Sequence, residues 1–352
     1  MKVGILTSGG DCQGLNAALR GVAKALFAAA PEIEIIGISD GYRGLIEGEW
    51  REMNLREFSG ILREGGTILG TSRQSFKSMR ETDDSGEPDK LTKMVKNYQK
   101  ERFDALVILG GNGTHKTAYA LSQQGVTVVT LPKTIDNDLF GTDYSFGFDS
   151  AVTKAADVID ALHTTAAAHG RIFVAELMGH KAGWVALYAG LAGGADIILL
   201  PEIPYSLKKV LDVIEKRNQS GKKFSIIVIA EGALTKDEAA TPKKERSPGV
   251  STSGSRLVEE LDSRLDQDVR LAIPGHFQRG GDPTPYDRVL CSRLGAKAAE
   301  LVLKKEFGNM VALKGTSITA VPLKDVAGVL KTISPDSEII EQARSLGISF
   351  GD

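Results

Sequence analysis

Short apolar, β-branched runs recur along the chain at 2–6, 33–38, 105–109, 126–131, 172–177, 197–200 and 224–229. Each runs out into glycine or polar residues. Between several of them lie segments whose apolar positions repeat at helical spacing, at 15–27, 147–163 and 207–218. A short continuous apolar run bounded by turn residues reads as a buried strand, and a 3.6-residue apolar period reads as an amphipathic helix. Their alternation predicts an α/β fold with mainly parallel sheets. Ligands of such sheets collect at the carboxyl ends of the strands. The polar stretch 234–250, rich in Lys, Glu, Pro and Ser, predicts a mobile surface excursion. There is no internal repeat and no coiled-coil heptad.

Three glycine or polar clusters fall just after strand candidates: TSGGDCQG at 7–14, GGNGTH at 110–115 and PKTIDND at 132–138. In the first, adjacent glycines let backbone N–H groups approach a phosphate, and the helix start behind them adds partial positive charge. No GK[ST] follows and the spacing is not GxGxxG, so taken alone the loop serves equally well as a tight turn. In the second, Gly111 and Gly113 remove side chains where a polyphosphate would lie, while Asn112 and Thr114 offer polar atoms. That arrangement also suits lipid and NAD kinases, so it points to a nucleotide or phosphate before any one enzyme.

PKTIDND adds Lys133, Thr134, Asp136 and Asp138. A lone DND reads as a capped turn. Behind two glycine loops it reads as chemistry, because phosphoryl transfer needs an acceptor hydroxyl positioned, its proton taken and the charge on the moving group neutralised. In an extended segment Asp136 and Asp138 point the same way, so that one holds a metal while the other takes a proton.

The bulk numbers narrow the field. At 352 residues the length suggests two domains, at roughly 150 residues each. With 42% hydrophobic and 25% charged residues the chain buries an ordinary core, and a net charge of -2 excludes the basic footprint of a general nucleic-acid binder. Any anionic ligand is therefore held by local cations. The two cysteines, Cys12 and Cys291, have no zinc-type spacing and read as reduced thiols. The N-terminal apolar run is too short for a signal peptide or a membrane span, so the expectation is a soluble cytoplasmic protein without membrane partners.

Basic residues fall into two short groups. GRIFVAELMGHKAGW places Arg171 before a strand and Met178, Gly179 and His180 after it, and VRLAIPGHFQRGG carries Arg270, His276 and Arg279. Arginine and histidine around a Gly-Gly turn suit a phosphate monoester.

Taken together, TSGGDCQGLNAALRG, GGTILGTSR, GGNGT, PKTIDND, HGRIFVAELMGHKAGW, AEG and GHFQRGG resemble the 6-phosphofructokinase family, in order and over nearly the whole chain to about residue 305. The resemblance implies two Rossmann-like α/β domains with helices on both sheet faces and the active site in the cleft between them. It sets a larger phosphoryl-donor domain at 1–147 plus about 260–310, and a smaller sugar-phosphate domain at 148–259 plus about 311–352. It implies transfer of a phosphoryl group from ATP to the 1-hydroxyl of fructose 6-phosphate, the committed step of glycolysis, with Mg2+ as cofactor.

By resemblance Asp136 is the general base, Thr134 touches the transferred group, and Arg73 and Arg171 stabilise its charge beside Lys133. Gly10, Arg73, Asn112, Gly113 and Thr114 face the nucleotide, and Asn112 and Asp138 face the metal. The sugar phosphate falls to Thr134, Asp136, Met178, Gly179, His180, Glu231, His276 and Arg279. Arg171 and Arg270 reach in from a neighbouring subunit of a homotetramer.

The sequence departs from the common pattern in three matters: the donor, the metal and sugar positions, and the effector site. Gly113 is typical of ATP users and Lys133 of pyrophosphate users. A glycine at 113 leaves room for an α-phosphate that a carboxylate would obstruct, so the reading is ATP, with pyrophosphate as the alternative donor and a non-catalytic sugar-phosphate sensor as a more distant one. Asn112 stands where aspartate is usual and His180 where arginine is frequent. At the effector site of bacterial relatives Arg20, Lys222 and the acidic Asp196 are kept, but His163, Ser220 and Phe224 stand at positions usually basic or imidazole, so effector control is expected to be weak or absent.

Overall fold

The computed structural model describes residues 1–79, 89–242 and 251–352. The end of the expected polar excursion, 243–250, lies outside the described residues, while its start forms a short helix, Lys236–Ala240, capped by Thr235. The chain divides into two compact units. The first comprises Met1–Ile135, Leu139–Ser150 and Arg279–Leu330, the second Asp136–Asp138, Ala151–Gln278 and Lys331–Asp352.

The first unit is built on a seven-stranded sheet. Its strands are β1 (Lys2–Ser8), β2 (Glu34–Ile38), β3 (Trp50–Met53), β4 (Ala105–Gly110) and β5 (Val128–Pro132), joined later in the chain by a hairpin. The second unit holds a four-stranded sheet of β6 (Ile172–Leu177), β7 (Ile197–Leu199), β8 (Ser225–Ala230) and β9 (Val269–Ala272). The hairpin strands are β10 (Asn309–Lys314) and β11 (Ser317–Pro322). The order is β11-β10-β5-β4-β1-β2-β3 in the first sheet and β7-β8-β6-β9 in the second. Pairing is parallel except at the two outer pairs of the first sheet, β2 with β3 and β10 with β11.

The all-apolar runs become the central strands. Every residue of β4, β5, β6 and β8 is buried, which only a sheet covered on both faces allows. Withdrawing each large aliphatic side chain of β4 from water contributes about 2 kcal/mol. Three strands lack this signature. β3 and β11 are half-exposed, and β9 buries only its first residue, so none shows a continuous apolar run. β10 is buried, and its partner β11 reaches it through a two-residue turn led by Gly315 at φ 57.

These late strands also move the boundaries expected from the sequence. Residues 260–278 stay with the second unit because β9 pairs in parallel with β6, register Ile172↔Val269. Residues 311–330 stay with the first because β10 pairs with β5 and carries β11 with it.

Within the first unit the helices Leu15–Ala29 and Pro285–Leu303 cross at backbone distance. A Cβ on Gly295 would lie 2.6 Å from the Val22 amide and 2.8 Å from the Ala18 carbonyl, so only glycine permits the approach. Both cysteines are free and buried in this unit, and burial pushes the Cys12 thiol up to about 12. No helix among the described residues is long and apolar enough to cross a membrane.

Candidate active site

In the first unit the carboxyl ends of β1, β4 and β5 carry the three loops. β1 ends at Ser8, and Gly9 follows at φ 90, a left-handed conformation that favours glycine. The Gly9 amide donates to the Ser72 carbonyl at 3.0 Å and the Thr71 hydroxyl donates to the Gly9 carbonyl at 2.7 Å, which ties the Arg73 segment alongside. Lys133, immediately after β5 and only 4% exposed, donates its ammonium to the Gly10 carbonyl.

Two guanidinium groups close on the same glycine. A Cβ on Gly10 would meet Nη1 of Arg279 at 3.1 Å and Nη2 of Arg73 at 3.2 Å. Arg279 is held by donating to the Asp11 carbonyl at 2.9 Å, and Gln13 fixes the next residue by donating to the Gly280 carbonyl at 2.8 Å. Neither arginine pairs with a carboxylate among the described residues. Three cations around Gly10 give a chain of near-neutral net charge a strongly positive spot.

Beside it, the helix Asn112–Ser122 starts directly behind β4, with Gly111 at its N-cap and no side-chain cap. Its first amides, at Asn112, Gly113 and Thr114, point out of the helix end with partial positive charge. Nothing lies within 4 Å of a Cβ placed on Gly113, so that position is open space. The Asn112 amide nitrogen donates to the Val329 carbonyl at 3.1 Å, while its oxygen is buried with no hydrogen-bond partner. His115 is fully buried and contacts the Gly111 carbonyl through Nδ1 at 2.8 Å. Burial lowers its pKa to about 4, so it is a neutral brace for the helix start and adds no charge.

Asp136, Asn137 and Asp138 belong to the second unit. The sequence reading of this stretch as extended is overturned: Ile135 and Asp136 form a turn and Asn137 adopts φ 48. Strand alternation therefore does not relate the two carboxylates. Asn137 and Asp138 are buried, at 2% and 6% exposure. Asparagine is among the few residues that accept this left-handed conformation at low cost.

The carboxyl end of β6 carries Met178, Gly179 and His180. Glu231, just past β8, accepts from the Gly179 amide at 3.2 Å and from the His180 amide at 2.6 Å. The buried Gln278 accepts from the Met178 amide at 3.1 Å and links this turn to the short helix Gly275–Arg279 that bears the exposed His276. His180 sits at φ 55, and a Cβ on Gly232 would strike its carbonyl at 2.4 Å, so AEG needs its glycine.

Arg171 and Arg270 are not brought to this end. Arg171 precedes β6, Arg270 is paired across from Phe173 near the start of the same strand, and both bind Asp268, at 3.2 and 2.9 Å. At about 3.3 Å per residue, the length of β6 sets them about 20 Å from Met178. Gln13 lies within TSGGDCQG and Gln278 within GHFQRGG, but neither was given a role from sequence; each holds a backbone group of another segment.

Glycine loops and converging cations at strand carboxyl ends define an α/β protein built around a phosphate-rich ligand. A model of the family described as phosphofructokinase matches residues 2–302. The chain is 52% identical to ATP-dependent 6-phosphofructokinase of Spirochaeta thermophila, over 99% of this chain and 97% of the relative. It is 45% identical to ATP-dependent 6-phosphofructokinase 3 of Bacteroides thetaiotaomicron over the full length of both. The crystal structure of Pichia pastoris phosphofructokinase in the T-state aligns with a TM-score of 0.81 and 29% identity over 93% of this chain, which spans only 35% of that longer one. The chain belongs to the phosphofructokinase family.

Proposed function

We propose that the protein transfers the terminal phosphoryl group of ATP to the 1-hydroxyl of fructose 6-phosphate, giving fructose 1,6-bisphosphate and ADP. The observation that carries this reading is the convergence of Arg73, Lys133 and Arg279 on Gly10, with Thr134 and Asp136 following Lys133 directly in the chain. Both relatives above bear an ATP-dependent name.

In this reading the open space at Gly113 and the amides of the helix start at Asn112 take the nucleotide phosphates, and Arg73 with Lys133 draws charge off the moving group. Thr134 contacts that group, and Asp136 accepts the proton of the 1-hydroxyl. The Met178–Gly179–His180 turn, Glu231, His276 and Arg279 bind the sugar phosphate.

The oxygen donors fit a hard cation such as Mg2+: the Asn112 amide oxygen is buried without a hydrogen bond, and Asp138 is a buried carboxylate. In this reading Asn112 and Asp138 each offer an oxygen to Mg2+ alongside phosphate; no group of three or more His, Cys, Asp or Glu suited to a metal occurs among the described residues. When bound it supplies positive charge to the phosphate oxygens.

Arg171 and Arg270 stand at the far end of β6 from the sugar turn, which supports their reaching a neighbouring subunit's sugar phosphate in a homotetramer. Asp196 pairs with Arg217 at 2.7 Å and accepts from the Ile226 amide at 2.9 Å, an internal engagement that supports weak effector control. The two buried free thiols agree with a cytoplasmic location.

The test is product formation from fructose 6-phosphate and Mg2+, with ATP and with pyrophosphate in parallel. ATP alone supporting turnover is the expected result. Turnover with pyrophosphate alone reassigns the donor, and silence with both overturns the enzymatic reading.

A further inference from the structure

The last segment of the chain lies beyond the residues matched by the family model, yet its first residue in the second unit touches the aspartate loop. Lys331 bonds to that loop and to Trp184. Its amide donates to the Asp138 carbonyl at 2.8 Å, and its ammonium donates to Oδ1 of Asn137 at 2.9 Å. Its carbonyl accepts from Nε1 of Trp184 at 3.1 Å, and the same ammonium lies 5.3 Å from the centre of the Trp184 ring.

Two residues on, the Ile333 amide donates to Glu202 at 3.1 Å, and Glu202 also accepts from the Gly183 amide at 3.0 Å. The segment is thus fastened on both sides to the loop that carries Gly183 and Trp184, and one lysine passes that anchorage to Asn137. Asn137 is the left-handed member of the loop, buried and at positive φ between the two aspartates. Left-handed backbone at a non-glycine residue persists only where its surroundings hold it.

We propose that Lys331 is a positioning residue for the aspartate loop, holding the Asn137 side chain and the Asp138 carbonyl so that Asp136 and Asp138 stand in register for the phosphoryl transfer proposed above, on which this inference rests. It does not touch the reacting atoms. Its effect belongs in kcat, because displacing a catalytic group by about 1 Å costs about 100-fold in rate with little change in substrate binding.

The experiment compares steady-state kinetics of the full-length wild type with Lys331→Met, Lys331→Arg, Asn137→Gly and the Lys331→Met/Asn137→Gly pair, using fructose 6-phosphate, ATP and Mg2+. Met keeps the stem against Trp184 and removes the donor. Gly keeps the positive φ and removes the carboxamide, and with it the acceptor. The expected result is a kcat loss of about 10- to 100-fold in both single variants, with both KM values within about threefold of wild type and no further loss in the double variant. Lys331→Arg, which can still donate, recovers most of the rate.

A Lys331→Met or Asn137→Gly enzyme within twofold of wild-type kcat overturns the role, as do losses that multiply in the double variant. If Lys331→Met does not fold, Asn137→Gly decides by the same criterion. A wild type silent with every donor overturns the activity and this inference together, whereas an active wild type with indifferent variants overturns this inference alone.

Discussion

The ammonium of Lys133 donates to the carbonyl of Gly10, 123 residues upstream, and joins the loop after β5 to the loop after β1. The flexible, near-fully buried lysine is therefore a fixed part of the glycine loop, placed between two guanidinium groups and the start of the Thr134–Asp136 stretch. Replacing it with methionine keeps the bulk and removes the charge. Lys133→Met is expected to lower kcat about 100- to 1000-fold, as loss of one preorganised donor does. Circular dichroism and steady-state kinetics on the same preparation check this, and an active variant would remove Lys133 from the charge-stabilising set.

Position 113 tests the donor. A Cβ there meets nothing, so Gly113→Asp should leave thermal unfolding unchanged. The new carboxylate faces the space assigned to the nucleotide phosphates. Like charges in contact cost several kcal/mol, so kcat/KM for ATP should fall about 100-fold or more while pyrophosphate loses far less. Equal losses with both donors would show that the position does not select between them.

The separation of Arg171 and Arg270 from the sugar turn predicts complementation. Asp136→Ala and a double Arg171→Ala/Arg270→Ala variant should each be nearly inactive. Mixing them under conditions that exchange subunits should restore a fraction of wild-type activity, because some sites then combine an intact base with intact arginines. Mixtures that stay silent after exchange is verified by mass would place the arginines outside the active site.

A buried carboxylate gives the fold a pH dependence. Asp287 accepts from the Gly147 amide at 3.1 Å and from the Ser150 amide and hydroxyl at 2.9 and 2.6 Å, at the start of the helix Phe148–His169. Burial nevertheless raises its pKa from 3.8 to about 6. A raised carboxyl binds its proton more tightly when folded. Its contribution to stability is therefore greatest below about pH 4, falls as pH rises to about 6, and is flat above. Two units correspond to about 3 kcal/mol. Denaturant unfolding of wild type and Asp287→Asn between pH 4 and 7 should show the wild-type advantage shrinking by about that amount. A constant difference would mean that Asp287 titrates normally.

Much of this protein was legible in its residues. The runs at 105–109, 172–177 and 224–229 announced buried parallel strands because a strand covered on both faces must be apolar throughout. TSGG, GGNG and PKTIDND pointed to a phosphate site because glycine, lysine and carboxylate are what backbone approach, charge neutralisation and proton transfer need. The half-exposed β3, β9 and β11 left no such trace, since an edge strand satisfies its geometry with many sequences.

What the tertiary structure alone decided are relations between residues distant in the chain. Composition cannot say that Arg279 and Arg73 meet over Gly10, that Asn137 turns the aspartate pair out of an extended course, or that Arg171 and Arg270 share Asp268 at the wrong end of β6 for their own sugar turn. Nor does any motif mark Lys331 as a neighbour of Asn137, 194 residues away. The chemical identity of a site is local and is written in side chains. Its geometry is set by strand order and loop closure, which bring those side chains together only after the whole chain has folded.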